Sequence, residues 1–404
     1  MVPGTDYSAS SIGPRISPAA LFWIFFRIAC TSFGGFMAMI AVVENVVVER
    51  KKLLTHQDML DGISLAQILP GPVAVNVCTY VGYRLRGGAG ALVAAAAAIL
   101  PAFVLIVLLS AAYFRFGQTP AVNRLFTGFV PAVTAVIVAA AWNMSRRALT
   151  GARERVIAAV AAGALLGIGG FYSTLAIIFG AAAIGWLWFR HSANGAPGSA
   201  ASKPPPRAPL NASLLWFATA PLTSIPLWSL EPGLLLKLFL VFAGMSLVLF
   251  GGGYVFIPMI QEIVVNHQHW VTVQEFVDGI ALGQITPGPI LVSAAFIGFK
   301  VAGLAGATVA TLGIFAPPAL LMVAGTHVFE RLQHSAAVRA ALRGVRPAVI
   351  GMIFAAAVVV GKTSAPVWMS ALVFGAALLA LVRFRVEAVW VIPAAGLLGV
   401  WLYP

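Results

Sequence analysis

Charge is scarce in this chain. Only 9% of its 404 residues are Asp, Glu, Lys or Arg, against about a quarter in a soluble domain, which excludes an ordinary water-facing surface. Acids are scarcer still, 12 against 25 Lys and Arg, for a net charge of +13. Cysteine is almost missing: Cys30 and Cys78 both lie in apolar segments, so a disulfide framework and a cysteine metal site are excluded. The histidines fall mostly outside the apolar runs (His56, His267, His269, His334) at no metal-ligating spacing. No His/Cys/Asp cluster or nucleophile–base pair falls within an apolar run. The chain is therefore not expected to be an enzyme, and neither a cofactor nor a metal is expected.

What is abundant is grease. The chain is 60% hydrophobic with a mean hydropathy of +0.96. Apolar runs recur along it, among them "ALVAAAAAILPAFVLIVLLSAAYF" (91–114), "LLLKLFLVFAGMSLVLF" (234–250) and "MIFAAAVVV" (352–360). A membrane span needs about 20 apolar residues, so the expectation is an all-α polytopic membrane protein whose first partner is the lipid bilayer. Its opening, "MVPGTDYSASSIGPR", has no basic n-region and reads as a tail, 1–18, rather than a signal peptide. The positive charge sits in short loops between apolar runs, where it sets membrane orientation; no nucleic-acid partner is expected.

One sentence is written twice. "ISLAQILPGPVAVN" (63–76) returns as "IALGQITPGPILVS" (280–293). Aligned without a gap, residues 33–72 and 250–289 share Phe33/Phe250, Gly34/Gly251, Gly35/Gly252, Thr55/Thr272, Gln57/Gln274, Asp61/Asp278, Gln67/Gln284 and the whole PGP. After a one-residue slip, "YVGYR" (80–84) meets "FIGFK" (296–300), Arg115 meets Arg331, and "GFVPA" (128–132) meets "GVRPA" (344–348). The first membrane repeat is placed at 19–190, a Gly/Pro/Ser-rich flexible linker at 191–211 and the second repeat at 212–404. Within the second, 212–229 is an extra span or an interfacial segment.

Lys and Arg gather on one face of the first repeat (Arg50, Lys51, Lys52, Arg84, Arg86, Arg146, Arg147, Arg153, Arg155, Arg190) and on the other face of the second (Arg331, Arg339, Arg343, Arg346, Arg383, Arg385). Because basic loops stay inside, the repeats are expected to be inverted, each with five to six spans, in a multi-pass protein of the inner cell membrane. Five crossings are expected in the first repeat: 19–47, 88–114, 125–147, 154–170 and 171–190. "QDMLDGISLAQIL" is about 20 Å long as a helix, too short to cross. It is expected to meet a second short helix at PGP, as a broken re-entrant pair near mid-membrane.

Broken helices are costly in lipid unless they line a cavity. Half-helices that begin after Pro72 and Pro289 would turn free N–H groups and positive dipole ends inward, an anion site; read blandly, Gly and Pro there only permit kinks. The candidate substrate-binding residues are Gly34, Gly35, Gln67, Pro70, Gly71, Pro72 and Asn76 in the first repeat. Gly251, Gly252, Gln284, Pro287, Gly288, Pro289 and Ser293 match them in the second, where Thr286 also flanks the break. Arg27, eight residues into an apolar run, is a further substrate-binding candidate if it faces a cavity, or else it snorkels. Glu44, Asp61, Glu262 and Asp278 are candidates for proton carriage, or for caps and loops.

The FGG that opens each repeat, the D-G-I-x-L-x-Q-I-x-P-G-P block at 61–72 and 278–289, and the aromatic-G-aromatic-basic stretch after it resemble the chromate ion transporter family in its long, two-repeat form. The likeness spans nearly the whole chain apart from tail and linker. It implies export of chromate, a tetrahedral dianion shaped like sulfate, driven by the proton motive force. Gly283 and Thr286 stand where the first repeat has Ala66 and Leu69, so the site is expected to be asymmetric. An exporter of sulfate or another small oxyanion, and an anion channel, stay open as alternatives, as does a homodimer.

Overall fold

A computed structural model describes residues 16–32, 36–117, 119–169, 171–189, 231–249, 256–327, 335–362, 364 and 368–402. Among them it has fourteen α-helices and no strand. The first repeat holds α1 (Pro18–Thr31), α2 (Phe36–Glu44), α3 (His56–Ile68), α4 (Val73–Phe116), α5 (Pro120–Ala148), α6 (Ala152–Gly167) and α7 (Phe171–Phe189). The second holds α8 (Pro232–Val248), α9 (Phe256–Gln261), α10 (Val273–Ile285), α11 (Ser293–His327), α12 (Ala336–Gly361), α13 (Trp368–Val382) and α14 (Ala388–Leu402). Five stretches are long and apolar enough to cross a membrane: Val73–Phe116, Val122–Arg146, Tyr172–Phe189, Ile290–Thr326 and Ala337–Gly361. Large apolar side chains such as Leu92, Tyr172, Leu372, Trp390 and Trp401 stand exposed on the helices, as suits a body surrounded by lipid rather than water.

The sequence pattern explains how each repeat folds back on itself. Thr55 and Thr272 close capping boxes with Asp58 and Glu275, which start α3 and α10 sharply. Both helices run 13 residues and stop at PGP. The chain then returns as the short first arm of α4 or α11. At Arg86–Gly87 (Gly87 φ 61°) and Ala302–Gly303 (Gly303 φ 57°) it turns sharply into a long second arm.

The "YVGYR" and "FIGFK" stretches are the staples of this hairpin. Tyr80 and Phe296 lie flat against Gly62 and Gly279, where an added Cβ would stand 2.4 and 2.5 Å from the ring. Gly82 meets Gly90, and Gly298 meets Gly306, so closely that a Cβ would fall 2.3 Å from a carbonyl oxygen. The basic residue that ends each stretch reaches back to the capping acid: Arg84 to Asp58, and Lys300 to Glu275 at 2.7 Å. Aromatic, glycine and base thus have separate tasks in closing one re-entrant pair.

The stretch 19–47, expected to be one crossing, is instead a second pair of half-helices. Arg86 donates to Ile16 O at the start of α1, which puts that start beside the outer end of the PGP hairpin. α1 ends at Ser32, beside the other repeat's PGP. α2 continues as a π-helical turn, Asn45–Arg50, that ends at α3, with Glu44 against His56 at 2.9 Å. Leu21 and Phe25 of α1, Met39 and Val43 of α2, and Met59 and Leu65 of α3 share one buried cluster. Two halves of one apolar run are shorter and closer to each other than a straight span allows; the break falls at 33–35, outside the described residues.

The two repeats run in opposite directions. The long arm of α4, about 43 Å at 1.5 Å per residue, starts at Arg86, at the level of the α3 cap. It ends at Tyr113, whose hydroxyl reaches Asp278 on α10. The mouths of α3 and α10 are thus at opposite ends of one helix. The repeats also interlock: α5 packs against α13 and α14 of the second repeat, and α12 against α6 and α7 of the first. The contacts are reciprocal, Gly128 touching Gly399 as Gly344 touches Gly185, and glycine pairs let helix backbones approach closely where packing drives association. At one end Arg343 of α12 binds the buried Glu154 of α6 at 3.1 Å and lies 4.3 Å over the Phe189 ring. α7 finishes at that end, beside Arg153 of α6. α8 begins at the other, where Lys237 lies over Trp270 next to the α10 cap. The linker and the segment 212–229 lie outside the described residues.

Candidate functional site

Each PGP break rests on the other repeat. Gly71 donates its N–H to Leu249 O at 2.7 Å, and Gly288 donates to Ser32 O at 3.1 Å. Ser32 and Leu249 are equivalent residues, each just before an FGG, so the duplicated breaks meet crosswise. Both glycines hold a φ open to glycine and few others, +108° and +113°. Gly71 packs on Pro318 of α11 and Gly288 near Ala102 of α4, again equivalent positions. α4 carries Pro101 and α11 carries Pro317 and Pro318 at this level, and Pro318 is the one that touches the opposite PGP.

The anion-site expectation put backbone N–H groups at these breaks. The two glycine N–H groups are already engaged. In α4 the first intrahelical bond is Asn76 N–H to Pro72 O, which leaves Val73, Ala74 and Val75 as the helix-start donors. In the second repeat a short 3₁₀ turn, Ile290–Val292, comes before α11, with Val292 N–H bonded to Pro289 O. Residues 70–80 are all buried.

The polar side chains divide unequally. Asn76 is fully buried and donates to Pro70 O at 3.2 Å, so its amide nitrogen serves the break and its free atom is the Oδ1 acceptor. Ser293 and Thr286 turn their hydroxyls to Ile290 O and Gly283 O, both at 2.8 Å. Gln284 has its Nε2 enclosed, whereas Gln67 is exposed. Among the described residues, two buried side-chain polar atoms lack a hydrogen-bond partner, Asn76 Oδ1 and Gln284 Nε2. They come from opposite repeats and flank the two PGP breaks. Buried polar atoms are nearly always bonded, so each of the two has capacity left for a ligand or a water.

The four acids do not gather. Asp61 takes a hydrogen bond from Gln57 at 2.9 Å near the surface. Its counterpart Asp278 is 2% exposed and accepts from Gln274 at 2.9 Å and from Tyr113 Oη at 2.7 Å. Glu44 pairs with His56, and Glu262 accepts from Asn266 at 2.7 Å. Arg27 is exposed on α1, on a face away from that helix's buried residues Leu21, Phe25, Ile28 and Ala29. Gly34, Gly35, Gly251 and Gly252 lie outside the described residues. Reading the sequence misses Tyr113. Its one signal is that the repeat alignment sets it against Phe329, which has no hydroxyl. Among the described residues no group of three or more His, Cys, Asp or Glu could hold a metal.

A bundle of apolar helices built on an inverted repeat, with broken helices meeting crosswise between the halves, is the layout of a multi-pass membrane transporter. The family model described as chromate transporter matches residues 19–186 and 236–400, and the chain belongs to that family. It is 29% identical to a chromate transport protein of Cupriavidus metallidurans over 408 residues, 100% of this chain and 98% of that one. It is 30% identical to a chromate transport protein of Pseudomonas aeruginosa over 99% of this chain and 96% of that one. An uncharacterized transporter of Bacillus subtilis, YwrA, matches at 29% identity over 41% of this chain but 96% of its own length, about the size of a single repeat. No solved structure matches the chain.

Proposed function

We propose that the protein is a secondary transporter that exports chromate across the inner cell membrane, driven by the proton motive force, with its anion site between the crossed PGP breaks. The observation that carries the reading is the pair of unpartnered buried atoms, Asn76 Oδ1 and Gln284 Nε2, one from each side of that crossing. Gln284 Nε2 and the first N–H groups of α4 are donors for an oxyanion. Asn76 Oδ1 is an acceptor that suits a bridging water or a hydroxyl on a protonated oxyanion. The relatives named as chromate transport proteins support the choice of anion. With the basic end inside, the α3 mouth opens to the cytoplasm and the α10 mouth outward.

Direction needs little help. An interior-negative potential of 100 mV favours export of a dianion by about 4.6 kcal/mol, at roughly 2.3 per charge; protons then add accumulation rather than direction. The residues do not separate chromate from sulfate, because a few donors read shape and charge alike in both. Flux of chromate from proteoliposomes with sulfate in competition is the test. Saturable chromate flux that responds to a pH gradient, outcompeted only by a large excess of sulfate, is expected. Non-saturating flux would make the protein an anion channel, and equal competition would make it a general oxyanion carrier.

A further inference from the structure

We infer that proton binding belongs to one repeat only: Asp278 is the proton-carrying residue, Tyr113 of the other repeat is its positioning residue, and Asp61 takes no part. The inference rests on the transport reading above and deepens it. The two acids are equivalent in sequence, each four residues after a glutamine that donates to it at 2.9 Å. Their surroundings are not equivalent. Asp61 stands partly open to solvent, while Asp278 is 2% exposed and receives a second donor, Tyr113 Oη at 2.7 Å.

Tyr113 cannot drift from that place. Its ring is held edge-on by Phe114, Phe126 and Phe296 with centroids 5.0, 4.8 and 5.2 Å away. Among the described residues, the elements packed against α10 bring Asp278 no ion-pair partner. From α11 comes Lys300, but its ammonium is bound to Glu275, one turn earlier on α10, and lies 5.0 Å over the Phe114 ring. Glu262, after α9, is held by Asn266. Arg115 of α4 lies over the Phe116 ring. Arg124 near the start of α5 and Glu387, just before α14, are further charges on neighbouring elements; Arg84 and Arg86 of α4 and Arg146 and Arg147 of α5 belong to the far ends of those helices.

A carboxylate so enclosed, with neutral donors only, is costly to leave charged, yet both its oxygens are provided for if it is. That is what a group must offer if it is to be found in both protonation states. A proton from water at the α10 mouth adds to a carboxylate oxygen of Asp278, and Tyr113 keeps its own proton throughout. Leaving, the same proton returns to water on the other side. Tyr113 sits at the seam between the repeats, near the end of α4, so movement of the repeats against each other makes or breaks its bond to Asp278. Because that mouth is the one away from the basic loops, the proton enters from outside while the anion leaves: antiport with a single proton site for two repeats.

The experiment compares Asp278→Asn, Asp61→Asn and Tyr113→Phe, the last restoring what the second repeat has at the equivalent place. Chromate flux from proteoliposomes is driven by a pH gradient or by a potassium diffusion potential. In parallel, infrared spectra of the purified proteins follow the carbonyl stretch of a buried protonated carboxyl as pH is varied. Asp278→Asn is expected to lose the response to the pH gradient at least tenfold, much more than it loses voltage-driven flux, and to lose the infrared band. Asp61→Asn should keep both. Tyr113→Phe should move the pH midpoint of flux and of the band alkaline by about one unit, since its hydroxyl favours the charged carboxylate. Full pH-driven flux in Asp278→Asn, or the same loss in Asp61→Asn, overturns the inference. If the parent protein moves no oxyanion, the transport reading fails; the infrared band still decides whether Asp278 binds the proton. Should Asp278→Asn not fold, Tyr113→Phe decides: an unmoved midpoint overturns the inference and a moved one supports it.

Discussion

Gly71 and Gly288 hold the same place, nearly the same φ and the same kind of backbone bond, yet they rest on different neighbours. A methyl group on Gly71 would lie 2.2 Å from the Cβ of Pro318; on Gly288 it would lie 3.4 Å from the Cβ of Ala102. The first break is wedged against a proline ring that has no rotamer to turn to. The second has a small neighbour, a longer hydrogen bond and a loose 3₁₀ turn before its helix. The unpartnered Gln284 belongs to the repeat with that second, roomier break as well. At their breaks the two copies of one sentence thus differ as a fixed side and a more pliable one.

The largest test of the division is alanine at each glycine. Any side chain at these φ values costs about 1–3 kcal/mol. Gly288→Ala should lose about that much and still bind chromate. Gly71→Ala adds an overlap that only a shift of α11 can relieve, so its loss should exceed about 3 kcal/mol with binding gone. Thermal inactivation in detergent and chromate binding to the monodisperse fraction measure both; equal losses would remove the distinction between fixed and pliable sides.

A smaller effect is expected at the hairpin staples. Gly62 and Gly279 each face an aromatic ring, but Phe296 is itself locked by Tyr113 and Phe114, whereas among the described residues no second ring is paired with Tyr80. Gly279→Ala should cost about 1–3 kcal/mol, the range for overpacking a filled core. Gly62→Ala should cost less, because among the described residues Tyr80 is not pinned by a second ring; the gain of about 1 kcal/mol in helix propensity is common to both. If Gly62→Ala proves the worse of the two, the first repeat and not the second is the tighter at this level.

How much of this was legible beforehand follows from where the physics is local. The repeat, the half-helices around PGP, the opposed orientation and the glycine φ at the breaks rest on spacing and residue type within a few positions, and the sequence carries them. The α1–α2 pair was hidden because two half-helices in sequence add up to the length of one span, and hydropathy counts length without direction. Tyr113 was hidden for another reason: its partner is 165 residues away, and nothing local to an apolar run says which tyrosine meets an acid from the other repeat. The direction of the Asn76 amide was equally out of reach, since a carbonyl at Pro70 decides it.

The smallest expected difference lies between the two clamps, Arg84 on Asp58 and Lys300 on Glu275. Burial pushes the Asp58 carboxyl up, but the hydrogen bonds from Thr55 and the charge and hydrogen bond of Arg84 outweigh it and leave the group below the usual carboxylate range. Glu275 follows the same pattern, burial raising it and Lys300 and Thr272 lowering it further. A carboxyl lowered by folding stabilises the fold above its unfolded value, about 3.9 for Asp and 4.3 for Glu, and that contribution is lost as pH falls through the still lower folded value. Both pairs are partly open to solvent, so Arg84→Gln and Lys300→Gln should each cost under about 1 kcal/mol at pH 7. Lys300 should cost slightly more, because its ammonium also faces the Phe114 ring. Thermal inactivation of both variants beside the parent, at pH 7 and at pH 3, separates charge from packing. The gap to the parent should shrink at pH 3 and in 1 M salt, where protonation or screening removes the attraction; a gap that stays the same would mean that Arg84 and Lys300 hold the hairpins by their stems rather than their charges.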